Sequence, residues 1–131
     1  MTALDTNVLV RFLVEDDAAQ STRAAALIEL TVAADERLYV SDIVLCELVW
    51  VLSGAYGFRR AEISAVLSEL TRARHLEFDS SDRIGRCVRA FDAGRGDFAD
   101  YVIREHARDA GYDTVATFDR ALLRQEGFIA P

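Results

Sequence analysis

Short strand-like runs alternate with helical patterns from one end of the chain to the other, and this alternation excludes most folds. Residues 2–5 form the first run, 37–41 ("RLYVS") the second, 75–79 ("HLEFD") the third and 113–119 ("DTVATFD") the fourth. β-Branched and aromatic residues mark them. Between them the apolar residues fall at helical spacing. Residues 7–14 read as a short helix and 16–30 ("DDAAQSTRAAALIEL") as a longer one. Residues 42–53 read as a helix that Gly54 and Gly57 bring to an end. Over 59–73 ("RRAEISAVLSELTRA") Ile63, Val66, Leu67 and Leu70 share one face. A helix over 80–94 opens with capping residues and stops at Gly94, a helix over 96–111 has Gly at both ends, and 120–125 ("RALLRQ") reads as a last helix.

Strands this short, separated by helices, predict βαβ units and therefore an α/β fold: a short central, mainly parallel sheet flanked by helices. The crossovers are expected to be right-handed. In such sheets ligands bind outside the carboxyl ends of the strands. Asp5 and Asp119 each end a predicted strand, so both are expected on one rim of the sheet. At 131 residues the chain is expected to form a single domain, 1–131, with no repeats or linkers. One proline and seven glycines speak against disorder and against a sandwich of many short strands. No apolar run is long enough to span a membrane, and the N-terminus carries no secretory pattern. Cys46 and Cys87 lie in helical patterns and predict no disulfide, which suits a reduced, cytoplasmic protein. All 15 basic residues are arginine. The lack of lysine excludes Schiff-base chemistry and a P-loop, and a net charge of −7 excludes a broad, nonspecific grip on nucleic acid.

The acids carry the chemistry. Glu47, taken on a helix over 43–53, has Ile43, Val44, Trp50 and Val51 at helical neighbour positions. A carboxylate on such a face is expected to need a partner, either an arginine or a metal, because burying it alone costs several kcal/mol. Asp97 and Asp100 stand three apart at a helix start, where Asp97 as N-cap and Asp100 as its partner would form a capping box. Asp100 shares a face with Ile103 and Ala107, which predicts an inward direction, and Arg104 one turn on is a candidate partner. Asp119 is a candidate cap for the last helix, and Asp5 an Asx-turn residue. Each acid has its own structural reading. Gathered together without a cation they would repel one another and raise their pKa values. A cluster of oxygen ligands with no His or Cys suits Mg²⁺ or Mn²⁺ and not zinc.

Three segments, "ALDTNVLVRFL", "VSDIVLCELVWVL" and "GDFADYVIREHARDAGYDTVATFD", in this order and spacing, resemble the PIN-domain family, and within it the VapC-type ribonuclease toxins of toxin–antitoxin pairs. The resemblance spans roughly residues 2–125 and implies a PIN-like three-layer fold. It places the family's acidic, metal-binding and catalytic site at Asp5, Glu47, Asp100 and Asp119. Asp97 matches an additional acid carried by many members. Either Asp97 or Asp100 is the direct ligand, with Asp100 favoured. Thr6 and Asn7 match the polar pair after the first acid and Thr117 the hydroxyl residue before the last, in supporting roles around the ligands. The implied activity is metal-dependent hydrolysis of structured RNA, such as tRNA or rRNA, leaving 5′-phosphate and 3′-hydroxyl ends.

An acidic chain needs arginines to hold RNA phosphates, and Arg59, Arg60, Arg72, Arg74, Arg83 and Arg86 are candidates, Arg83 and Arg86 on one helix face. His75, His106 and Cys46 read as structural. The apolar stretch "IVLCELVWVLSGAYGF" exceeds what one buried helix face needs and suits a protein contact. The resemblance implies two: a homodimer and a cognate antitoxin laying a helix in a groove. Two other readings stand beside this one. A haloacid-dehalogenase-type phosphatase also has an Asp after its first strand, but calls for a second Asp where this chain has Asn7. A non-catalytic PIN-like binding module would keep the acids for fold or for RNA grip.

Overall fold

The computed structural model describes residues 1–131. Its packing groups them into two units, Met1–Ser81 and Asp82–Pro131.

The first unit is built on a three-stranded parallel sheet of β1 (Thr2–Ala3), β2 (Leu38–Val40) and β3 (Leu76–Phe78), in the order β1-β2-β3. Thr2 stands opposite Leu38, and Leu38 opposite Leu76. The Leu4 N–H continues the first ladder to the Tyr39 carbonyl at 2.8 Å, although Leu4 lies past the end of β1. Leu38 and Val40 are buried and Tyr39 between them is exposed, as the two-residue period of a strand requires. Four helices belong to this unit: α1 (Thr6–Leu13), α2 (Ala18–Ala33), α3 (Asp42–Gly54) and α4 (Arg60–Arg72). Three start on a side chain that accepts a backbone N–H of the first turn. Asp5 takes the Thr6 N–H at 2.7 Å, Asp17 the Gln20 N–H at 3.0 Å, and Ser41 the Val44 N–H at 3.2 Å. At the start of α4 the Glu62 carboxylate reaches back to the Arg59 N–H at 3.0 Å. Leu9, Val10, Leu45, Leu48, Leu52, Ile63 and Leu67 form the core. Gly57 turns the chain between α3 and α4 with a φ of 65°, which an L side chain rarely adopts.

The second unit carries α5 (Ser81–Ala93), α6 (Phe98–Asp109), β4 (Val115–Ala116), a 3-10 turn (Leu122–Arg124) and β5 (Phe128–Ile129). Phe91 meets Phe98 edge to face, ring centroids 5.9 Å apart. Tyr101 is fully buried; its hydroxyl accepts from the Gly96 N–H at 2.9 Å and donates to Gln125 Oε1 at 2.5 Å. That hydroxyl lies so close to Gly94 that a side chain there would overlap it. β4 and β5 run parallel, Val115 opposite Phe128. No helix is long and apolar enough to cross a membrane, and both cysteines are free and buried.

The parallel α/β pattern is therefore present, with four departures. The fourth predicted strand shrinks to two residues, and the last helix to a 3-10 turn. β5 has no counterpart in the sequence pattern. The strands also form two hydrogen-bonded sheets, so Asp5 and Asp119 follow strands of different sheets rather than sharing the rim of one.

Candidate active site

Asp5 sits two residues past β1 as the N-cap of α1. Its Oδ1 holds the Thr6 N–H, which fixes the carboxylate and leaves Oδ2 free of that bond. Asp5, Thr6, Asn7, Arg11, Glu47 and Tyr56 line one cleft of about 360 Å³. The structure thus brings Asp5 and Glu47, 42 residues apart in sequence, to the same cavity. Glu47 is exposed, contrary to the expectation that its apolar neighbours bury it. The helix explains why. α3 buries Asp42, Val44, Leu45, Cys46, Leu48, Val49 and Leu52, so it is apolar around most of its circumference. Its one exposed stripe holds Ile43, 72% exposed, Glu47, and Trp50, 53% exposed. Being solvated, Glu47 needs no neutralising partner.

The hydroxyl of Thr6 is buried without a hydrogen-bond partner, next to Asp5. A buried orphan hydroxyl is uncommon. Together with an all-oxygen donor set it fits the surroundings of a hydrated hard cation. Arg11 and Tyr56 on the cleft wall were not evident from the sequence. Arg11 Nη1 donates to Asp16 Oδ1 at 3.1 Å and to the Tyr56 hydroxyl at 3.1 Å, and its Nε to Gln20 Oε1 at 2.7 Å. Tyr56 in turn donates to Asp16 Oδ2 at 2.6 Å. The Tyr56 hydrogen bond, reinforced by Arg11, holds the Asp16 carboxyl below its ordinary range, and Asp16 pushes the Tyr56 phenol up. The signal for Arg11 is its place one helical turn after Asn7; Tyr56 has none.

In the second unit the N-terminus of α6 gathers the other acids. Asp97 is the N-cap, its N–H donating to Asp100 Oδ2 at 3.0 Å, while the Asp100 N–H donates to the Asp97 carbonyl at 3.0 Å. The capping box anticipated for this pair is present. Asp100 is half-buried, and burial pushes its pKa up. The Asp97 N–H opposes the rise; the charges of Asp97 and Asp119 add to it. Asp119 Oδ1 accepts the Ala121 N–H at 2.9 Å, and its own N–H donates to Thr117 Oγ1 at 3.0 Å. Thr117 therefore fixes the loop that presents Asp119. The charges of Asp97 and Asp119 thus bear on Asp100, yet in neither unit do three His, Cys, Asp or Glu side chains close into a group that would hold a metal ion.

Several expected partners are elsewhere. Arg104 pairs with Glu105 at 2.9 Å and not with Asp100, and Ile103 is 55% exposed rather than inward. Arg83 and Arg86 both pair with Asp109, and Arg86 also with Glu105 at 2.8 Å, so these two guanidinium groups are engaged inside the protein. Glu105 is the most deeply buried acid, at 1% exposure, ringed by Arg86, Arg104 and Arg108. Its signal lay in the sequence: Phe98, Tyr101, Val102 and Glu105 mark one helical face.

The profile of the PIN domain matches residues 2–127. The chain belongs to the PIN domain family. A VapC ribonuclease of Aquifex aeolicus (strain VF5) is 27% identical over 120 residues, covering 92% of this chain and 88% of that protein. Within this PIN domain Asp5 and Glu47 line one cleft, and the charges of Asp97 and Asp119 bear on Asp100 at the start of α6.

Proposed function

We propose that this PIN domain protein is a metal-dependent endoribonuclease, the toxin of a toxin–antitoxin pair, and that it cleaves structured RNA. The observation that carries the reading is Asp5 and Glu47 on one cleft wall beside an orphaned Thr6 hydroxyl. The VapC ribonuclease relative, matched over most of both chains, supports it. Asp5, Glu47, Asp100 and Asp119, with Asp97 as an additional acid, are the residues that would hold Mg²⁺ or Mn²⁺. A bound ion of this kind supplies a water of lowered pKa and positive charge against the phosphate.

The chain's own residues set the terms. Asp5 is oriented by the α1 N-terminus, Asp119 by Thr117, and Asp100 by the Asp97 N–H. Burial and neighbouring acids raise the Asp100 pKa, and a nearby cation would oppose that rise. Asn7 lines the cleft beside Asp5 without adding charge.

The test is calorimetric titration with Mn²⁺ of wild type and Asp5→Asn, followed by RNA cleavage with and without chelator. Saturable binding and cleavage, both lost in the variant, are expected. A folded wild type that neither binds Mn²⁺ nor cuts RNA refutes the proposal. The same reading takes 1–131 as one functional PIN-like domain and gives it two protein contacts, a second copy and an antitoxin helix. Exposed Ile43 and Trp50 on either side of Glu47 are the supporting surface. Light scattering at micromolar concentration is expected to give a dimer mass.

A further inference from the structure

The arginines that the sequence offered for RNA are partly unavailable, since Arg83 and Arg86 are held by Glu105 and Asp109. A different set is free. Arg95, Arg120 and Arg124 line one concavity of about 620 Å³, together with Gly94, Ala121 and Gln125. All three are exposed, and none makes a side-chain hydrogen bond or ion pair within the protein. No acidic residue lines this hollow. Two other hollows also hold arginines, but each pairs one of them with an acid: Arg11 is held by Asp16, and Arg74 by Asp35 at 3.6 Å, while only Arg23 and Arg37 beside them are without an ion pair. On a chain of net charge −7, three unpaired guanidinium groups in one cavity repel one another and concentrate positive potential.

The floor of the hollow is rigid. Gly94 is pressed against the Tyr101 hydroxyl, which is bonded to Gln125, itself a lining residue. Arg95 stands two residues before Asp97, and Arg120 directly follows Asp119. The basic hollow is thus tied in sequence, on both sides, to the acids of the candidate active site. Planar guanidinium forks bind phosphate oxygens through paired hydrogen bonds.

We propose that Arg95, Arg120 and Arg124 form a phosphate-binding subsite that holds the RNA backbone next to the acids. The proposal rests on the ribonuclease reading for its choice of ligand. It gives an acidic protein a local grip on a polyanion without a basic surface. It also assigns the grip to the same short segments that carry Asp97 and Asp119, so a strand held here is positioned relative to them.

The experiment is fluorescence anisotropy with a fluorescein-labelled, mixed-sequence single-stranded RNA, in chelator so that no cleavage occurs, over a salt series. Wild type is compared with the Arg95→Gln/Arg120→Gln/Arg124→Gln variant and with Arg37→Gln/Arg89→Gln, two exposed arginines away from this hollow. The triple variant is expected to bind about tenfold more weakly or worse at low salt. Its slope of log affinity against log salt is expected to flatten by about 2, given roughly 0.7 per phosphate contact on a single strand. The Arg37/Arg89 variant is expected to keep the wild-type slope. Because the three side chains are exposed, circular dichroism should show the triple variant folded. An unchanged affinity and slope in the folded triple variant overturns the proposal. A labelled polyglutamate that binds wild type more tightly than the RNA, and loses binding in the triple variant, also overturns it and assigns the hollow to an acidic peptide. Cleavage separates the two readings. Wild type that cuts RNA with the same KM as the triple variant leaves the ribonuclease and removes the subsite. Wild type that binds RNA through the hollow but never cuts leaves the subsite and removes the ribonuclease.

Discussion

Replacing Glu105 with Gln tests whether the arginine ring in the second unit is a structural keystone. Glu105 Oε1 takes Arg86 Nε at 2.8 Å, and Oε2 takes Arg104 Nε at 2.9 Å and Arg108 Nη1 at 3.0 Å. Gln has the same shape but turns one of these oxygens into an NH₂ that points donor against donor. Removing one partner of a buried ion pair costs about 3–5 kcal/mol. Here Arg86 and Arg108 are each about one-third exposed, and Arg86 keeps Asp109 at 2.7 Å, so part of the loss is recovered by water and by that acid. The expected cost is about 2–3 kcal/mol. At roughly 4 °C per kcal/mol for a chain this long, Tm falls by about 10 °C at neutral pH.

The pH dependence gives a second, independent reading of the same change. Burial by itself pushes the Glu105 pKa up, but the hydrogen bonds from Arg86 and Arg104 and the charges of Arg108 and Arg104 outweigh it, and the net shift is below the ordinary 4.5. As pH falls the unfolded chain therefore takes the proton first. The stabilisation is complete above the unfolded value and is lost as pH drops through the lower folded one. The Tm gap between wild type and Glu105→Gln should be widest near neutrality and close in acid. Thermal melts by circular dichroism over a pH series measure it. A gap below about 2 °C at pH 7 would refute the keystone argument, and a gap that widens in acid would refute the sign of the shift.

Further expectations follow from other residues. Gly94→Ala drives a methyl into the Tyr101 hydroxyl, the Ala90 carbonyl and Gln125 Oε1 and is expected to cost about 1–3 kcal/mol in urea melts. Gly54→Ala, where nothing lies within 4 Å at the end of α3, should be neutral or add up to about 1 kcal/mol. Equal destabilisation of the two would contradict the close-approach argument. Asp100→Asn should abolish RNA cleavage yet melt no lower than wild type in chelator. Its oxygen still accepts the Asp97 N–H, and the charge it removes is one that burial, Asp97 and Asp119 already disfavour. A marked fall in Tm would instead make Asp100 a purely structural residue.

Helix limits were readable because caps are local. The helix expected over 42–53 runs from Asp42 to Gly54, and that over 59–73 from Arg60 to Arg72, each set by side chains within one turn of its start. β5 was not readable: a two-residue strand holds no period, and its pairing with β4 is decided by a distant segment. The acids illustrate the limit of neighbour rules. Around Glu47 nearly every position is apolar, so helical spacing alone could not tell the exposed stripe from the buried one. On α6 the polar and apolar faces are distinct, and the same rule applied there marks Glu105 as inward. The membership of Asp5 and Glu47 in one cleft with Arg11 and Tyr56, and the engagement of Arg83 and Arg86 by Asp109, depend on tertiary pairing that no window of sequence contains.

The ring around Glu105 has a consequence at the opposite end of the pH scale. Arg86 bridges two acids, and Arg104 donates to Glu105 and to the Glu126 carbonyl while lying over the rings of Tyr101 and Phe128. These are uses of a flat fork that an ammonium does not reproduce. With no lysine in the chain, the cations of the arginine–carboxylate pairs keep their charge up to a pH of about 12, where lysine would begin to lose it near 10. Two phenols bonded to acids, Tyr39 and Tyr56, are likewise pushed up by Asp79 and Asp16 and so keep their protons further into base. The protein's ion pairs thus have a limit in acid and almost none in base, and its tolerance of pH should be strongly lopsided toward the alkaline side.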